Sequence, residues 1–147
     1  MADAQTQTTT DQYLAYLAAR LPSATYDQAR ATYRAVLADP HISNEVLRWL
    51  DANDRFWLLT MTLRRRDAVH PWIYERCREV EADPDGRLDL WFRGGYKSSI
   101  ITFAGTIQEV IRNPELTIGI FSHTRPIAKG FLYQIQQELE GNDYNGK

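Results

Sequence analysis

The hydrophobic period changes once along this 147-residue chain, near Gly86, and that change limits the folds open to it. Before it, apolar residues recur three and four apart, the spacing of one helix face. Tyr13, Leu14 and Leu17 follow Asp11, a residue suited to an N-cap. Tyr26, Ala29, Tyr33, Val36 and Leu37 form the next such set, ended by Asp39-Pro40. Val46, Leu47 and Leu50 belong to a third helix. Asn53-Asp54 then opens an apolar stretch, Phe56 to Leu63, that runs into Arg64-Arg65-Arg66, and cations suit a helix C-terminus. His70-Pro71 begins a further helix with Pro71 in its first turn and Ile73, Tyr74, Cys77 and Val80 facing inward. Ala82 to Gly86, with Pro84 between two aspartates, is a turn by composition.

Beyond that turn the pattern differs. Arg87 to Phe92 reads as a strand running into a glycine pair. From Lys97 to Arg112 the apolar residues Ile100, Phe103, Ala104, Ile107, Val110 and Ile111 keep a helical period, and Asn113-Pro114 stops it. Leu116 to Phe121 is a second, β-branched strand. Ser122-His123-Thr124 is a polar loop whose hydroxyls suit a cap, and a last helix starts near Pro126 with Ile127, Phe131, Ile135 and Leu139 on one face. Strand, helix, strand, helix in this order predicts a right-handed βαβ crossover and a parallel sheet. The expected fold class is therefore α/β: residues 1–10 disordered, 11–84 an all-helical N-terminal region, and 85–147 the βαβα start of a P-loop NTPase-like sheet. The tail from Gly141 to Lys147 carries no period.

Composition closes off several classes. Hydrophobic residues at 44% and charged residues at 24% fit a globular core rather than a disordered chain. One cysteine, Cys77, excludes an internal disulfide framework and any cysteine-cluster metal site. His41, His70 and His123 lack ligand spacing. No apolar run approaches the ~18 residues that span a bilayer. The first ten residues lack the basic flank and apolar segment of a signal peptide. A net charge of -2 leaves any nucleic-acid contact to local arginines.

The junction Trp91-Phe92-Arg93-Gly94-Gly95-Tyr96-Lys97-Ser98-Ser99 carries the chemistry. A phosphate-binding loop wraps backbone N–H groups around phosphate oxygens and aims a helix N-terminus at them. A lysine at the helix start reaches the β- and γ-phosphates, and the next Ser or Thr holds Mg²⁺. Lys97 and Ser98 stand in that order, and Gly94 and Gly95 allow close backbone approach. Trp91 and Tyr96 occupy the motif's two glycine positions, so the strict pattern G-x-x-x-x-G-K-[ST] is not met. If Tyr96 takes the positive φ of a glycine, the cost is about 1–2 kcal/mol. An ordinary strand-to-helix turn with an exposed lysine is the plainer reading of the string alone.

Arg87 to Glu140 resembles the start of the ATPase domain of tailed-phage large terminases, the DNA-packaging motor proteins. Leu88 to Arg93 followed by Tyr96 to Thr102 is similar to that family's deviant P-loop, in which an arginine precedes the lysine. Asn113-Pro114 and Ile118 to Thr124, with Ala128 and Phe131, are similar to its next strand, loop and helix. His70 to Glu81 resembles the segment ahead of the loop in one branch, so the likeness covers roughly residues 53–141. It implies ATP and Mg²⁺ as ligands. Lys97 would bind phosphate within a loop of Gly94, Gly95, Tyr96, Ser98 and Ser99. Ser98 would ligate the metal, and Arg93 would act catalytically on the transferring phosphoryl group. It further implies double-stranded DNA, a portal protein and a small terminase subunit as partners, a homo-oligomeric ring and a host-cytoplasmic location without membrane attachment. Arg125 would be a trans-acting finger in such a ring. Another P-loop NTPase, such as a helicase-like enzyme, would share Lys97 and Ser98 but not the Arg93 placement. A non-catalytic helical interaction module is the reading from outside that class. No apolar run ending in Asp-Glu follows Ser98. The chain therefore reads as an N-terminal part, inactive alone, that such a segment would continue.

Trp72 and Tyr74 are candidates for stacking on a base, although core packing is the commoner use of such residues. Arg64 to Arg66 are candidates for DNA phosphates, with a solvated helix end as the alternative.

Overall fold

The computed structural model describes residues 2–86 and 88–141, and the regular elements among them are all helices. Helix α1 spans Ala2–Arg20 and a 3₁₀ turn, Leu21–Ser23, follows it. Asp11 lies within α1 rather than at its cap. Helix α2 spans Tyr26–Ala38 behind a capping box: Gln28 N–H donates to the Thr25 hydroxyl, and Thr25 N–H donates to Gln28 Oε1. Ser43 caps α3, Asn44–Asn53. The short α4, Arg55–Trp57, continues through a wider π turn, Leu58–Thr62, and a 3₁₀ turn, Arg66–Ala68, leads to α5, Pro71–Ala82. A π segment, Ser98–Ala104, runs unbroken into α6, Gly105–Arg112, and α7 spans Arg125–Gly141.

No strand forms among the described residues, so the predicted βαβα sheet is corrected. Arg87 and the tail from 142 lie outside those residues. The period-two pattern is still visible in space. Leu88, Leu90 and Phe92 stand 84%, 82% and 67% exposed, while Trp91 between them turns inward to Trp72. Leu116, Ile118 and Phe121 are likewise exposed. A strand is stabilised by a ladder of hydrogen bonds and by burial of one face. Among the described residues neither segment is joined to a neighbour by such a ladder, and only Trp91 and Ile120 of their apolar side chains pack against the core. Alternation in sequence therefore produced an exposed apolar edge rather than a sheet.

One core joins both halves of the sequence. Leu17, Tyr33, Leu50, Phe56, Leu58 and Leu59 pack in a single cluster with Ile100, Phe103, Ala104 and Ile107. The Phe56 ring meets Tyr74 edge-on at 5.2 Å and Tyr26 at 6.0 Å. The inward set expected for α5, Ile73, Tyr74, Cys77 and Val80, is the set it buries.

A buried polar network crosses this core. Asp54 accepts from the Tyr33 hydroxyl at 2.6 Å, from Trp57 N–H at 3.0 Å and from Arg78 at 2.6 Å. Glu81 forms an ion pair with Arg78 and accepts from Arg55 N–H. Arg55 Nε donates to Gln108 Oε1 at 3.0 Å, which ties α4 to α6. The helix that begins at Lys97 is thus held at depth by both apolar and polar contacts.

Burial pushes the Cys77 thiol and the Tyr33 hydroxyl well above their ordinary values, Tyr33 also through the neighbouring Asp54. Both stay protonated in the fold, while in the unfolded chain they ionise near their ordinary values of about 8.5 and 10. The folded state then binds more protons above about pH 8.5, so these groups lower stability as pH rises. The thermal midpoint should fall between about pH 8.5 and 11, and Tyr33→Phe should flatten the upper part of that fall. A midpoint that holds steady across the range, followed by circular dichroism, contradicts this.

Candidate functional site

The loop ahead of the long helix is shaped by its own backbone. Gly95 N–H donates to Phe92 C=O at 3.0 Å, closing a turn. Gly94 takes φ +86 at its apex. A Cβ on Gly95 would meet Phe92 O at 3.0 Å and the Trp72 ring at 3.4 Å, so a side chain there would fit only if these neighbours gave by a few tenths of an ångström. Tyr96 adopts φ +59, a left-handed conformation that residues other than glycine rarely take. Its carbonyl accepts from Ile100 N–H at 2.9 Å, the first helical bond.

The loop folds around a cavity of about 460 Å³ lined by residues 91–99 and by Arg65. All the sequence-selected site residues, Arg93, Gly94, Gly95, Tyr96, Lys97, Ser98 and Ser99, line it. Its charged members, Arg65, Arg93 and Lys97, are all cations. Lys97 is exposed and its Nζ donates to Asp89 C=O at 3.2 Å. Arg93 is exposed and makes no ion pair among the described residues. Ser98 is exposed and Ser99 half-buried at the first turn, where free N–H groups and the helix dipole favour an anion.

Arg65 is the lining residue from outside the loop, and Asp67, behind the lining, is its partner; sequence reasoning missed the two as a pair. Arg65 Nε and Nη2 donate to the two Asp67 oxygens at 3.1 and 2.9 Å. The Tyr96 hydroxyl donates to Asp67 Oδ2 at 2.6 Å. The Arg65 fork, and after it the Tyr96 hydroxyl, hold the Asp67 carboxyl well below the usual carboxylate range. The same carboxylate raises the Tyr96 hydroxyl and the Arg65 guanidinium. The signal for Arg65 was the run Arg64 to Arg66. Nothing in the spacing pairs Asp67 with a residue twenty-nine positions on.

The other candidates lie elsewhere. Tyr74 is core, its hydroxyl donating to Ala24 C=O at 2.7 Å. Trp72 packs between Trp91, Phe92 and the Arg76 guanidinium, beside a smaller recess of about 280 Å³ that also reaches Asp67 and His70. Arg125 opens α7 and does not line the cavity. Arg64 and Arg66 are exposed. Among the described residues no group of three or more His, Cys, Asp or Glu could hold a metal ion. No described helix is long and apolar enough to cross a membrane. In comparisons with known proteins, no family model, no curated protein and no solved structure matches the chain.

Proposed function

We propose that the chain binds the polyphosphate of a nucleoside triphosphate in the cavity of the 91–99 loop. The observation that carries this is the convergence there of Arg65, Arg93 and Lys97, with no carboxylate on the lining, at the start of a helix running from Ser98 to Arg112. The cavity volume of about 460 Å³ falls within the range of small-molecule sites. In this reading Lys97 reaches the outer phosphates, Ser98 ligates a Mg²⁺ carried with them, and Arg93 offsets charge on the terminal phosphate. The resemblance of residues 53–141 to tailed-phage large terminases supplies the setting: the ATP-binding segment of a motor that packages double-stranded DNA in the host cytoplasm, working with a portal protein and a small subunit. The lining has no carboxylate to orient an attacking water. Binding is therefore the proposed activity of these residues, and phosphate release is expected to stay at the rate of buffer.

The test is calorimetric titration with Mg-ATP, inorganic tripolyphosphate and adenosine. ATP and tripolyphosphate should bind with similar affinity and adenosine should not bind. Absence of saturable binding by either polyphosphate overturns the reading. It would favour a helical interaction module, for which the exposed Leu88, Leu90 and Phe92 offer an apolar contact edge.

A further inference from the structure

We infer that Arg65, held in place by its pairing with Asp67, is a ligand of the bound polyphosphate. This rests on the cavity being a polyphosphate site. Arg65 is the cation on the lining that comes from outside the 91–99 loop. It is carried there by the chain reversal after the π turn, where Arg64 takes φ +55 and Arg65 N–H donates to Leu59 C=O at 3.1 Å. Arg64 and Tyr96 are the non-glycine residues in the left-handed region among those described. One precedes Arg65 and the other closes the loop that Arg65 faces. The Asp67 carboxylate bridges these two segments, taking the Arg65 fork on one side and the Tyr96 hydroxyl on the other.

The pairing leaves Arg65 able to bind a second anion. A guanidinium carries five N–H donors, and the side-on contact with Asp67 uses two. The side chains of Arg65 and Asp67 are 39% and 51% exposed, so water and ligand reach them and the pair itself is worth little in stability. Its value is orientation: a held guanidinium offers planar, bidentate contacts that a lysine in its place would not. Arg66, its neighbour, is exposed and does not line the cavity, which gives an internal control.

The experiment titrates inorganic tripolyphosphate into native protein and into the Arg65→Ala, Arg65→Gln, Arg65→Lys, Arg66→Ala and Lys97→Ala variants, with circular dichroism to verify the fold of each. Arg65→Ala and Arg65→Gln should lose about tenfold or more in affinity, since a charge-assisted contact goes. Arg65→Gln keeps a donor for Asp67, so a loss there reports charge at the site rather than a released loop. Arg65→Lys should recover little, and Arg66→Ala should match native protein. The Arg65→Ala affinity should also depend less steeply on salt than the native one. If native protein binds, Lys97→Ala does not, and Arg65→Ala equals Arg66→Ala, the inference falls while the polyphosphate reading stands. If native protein does not bind, both fall together.

Discussion

Asp54→Ala is expected to remove about 3–5 kcal/mol of folding stability, enough to leave a domain of ordinary stability largely unfolded. Asp54 is 1% exposed and ends three donors at once: Tyr33 Oη, Trp57 N–H and Arg78 Nη2. Alanine would strip the cap from α4, leave the Tyr33 hydroxyl without an acceptor and leave Arg78 facing Glu81 alone in a site it shares with little water. The Arg78 and Glu81 side chains are 18% and 14% exposed, so water compensates them poorly. Asp54→Asn keeps an acceptor oxygen for the cap and loses only the negative charge that faces Arg78, so its cost should be smaller. Urea denaturation of the two variants beside native protein gives the order directly. Equal midpoints for Asp54→Ala and native protein would show that the network contributes nothing net.

That network also explains which parts of the fold were legible. The period of α5 and the period from Lys97 to Arg112 are packing signals: α5 buries the side chains its period selects, and the later segment buries Ile100, Phe103, Ala104 and Ile107 with Val110 and Ile111 half-buried. The first strand-like segment, ending at Phe92, and the second, Leu116 to Phe121, carry a local signal of equal strength. A strand, however, is stable only through a neighbour, and alternation says nothing about whether one is within reach. Buried polar residues left no mark. Gln108 is fully buried and Arg55 nearly so, yet each reads in sequence as an ordinary solvated helix residue. They are inside because they satisfy one another across α4 and α6.

The loop that lines the cavity was legible as a local string, Arg93 to Ser99. Tyr96 stands where the loop motif has glycine, and its φ of +59 is a backbone that residues other than glycine rarely take. The cost of about 1–2 kcal/mol is offset by the hydroxyl's bond to Asp67 and by the helical bond at its carbonyl. The other part, Arg65 with Asp67, comes from a different helix-to-turn junction. Arginine in a run of three reads as surface charge until tertiary packing sets one of the three against the loop.

Lys97→Ala should reduce Mg-ATP affinity by about tenfold to a hundredfold, the loss of one charge-assisted contact to phosphate. The same change should leave the melting temperature nearly where it was. The Lys97 side chain is exposed and makes a bond to the Asp89 carbonyl at 3.2 Å, and substitutions of that kind usually stay within about 0.5 kcal/mol. These two measurements separate a binding residue from a structural one. A lysine that only tethered the segment before the loop would shift stability and affinity together, whereas a phosphate ligand shifts affinity alone. Lys97→Arg adds a further distinction. It keeps the charge but widens the head group at a tight loop, where even a Cβ on Gly95 would meet the Trp72 ring at 3.4 Å, so affinity should recover only in part. Native-like affinity in Lys97→Ala would place the phosphate contact elsewhere on the chain and remove the reason for reading this loop as a nucleotide site.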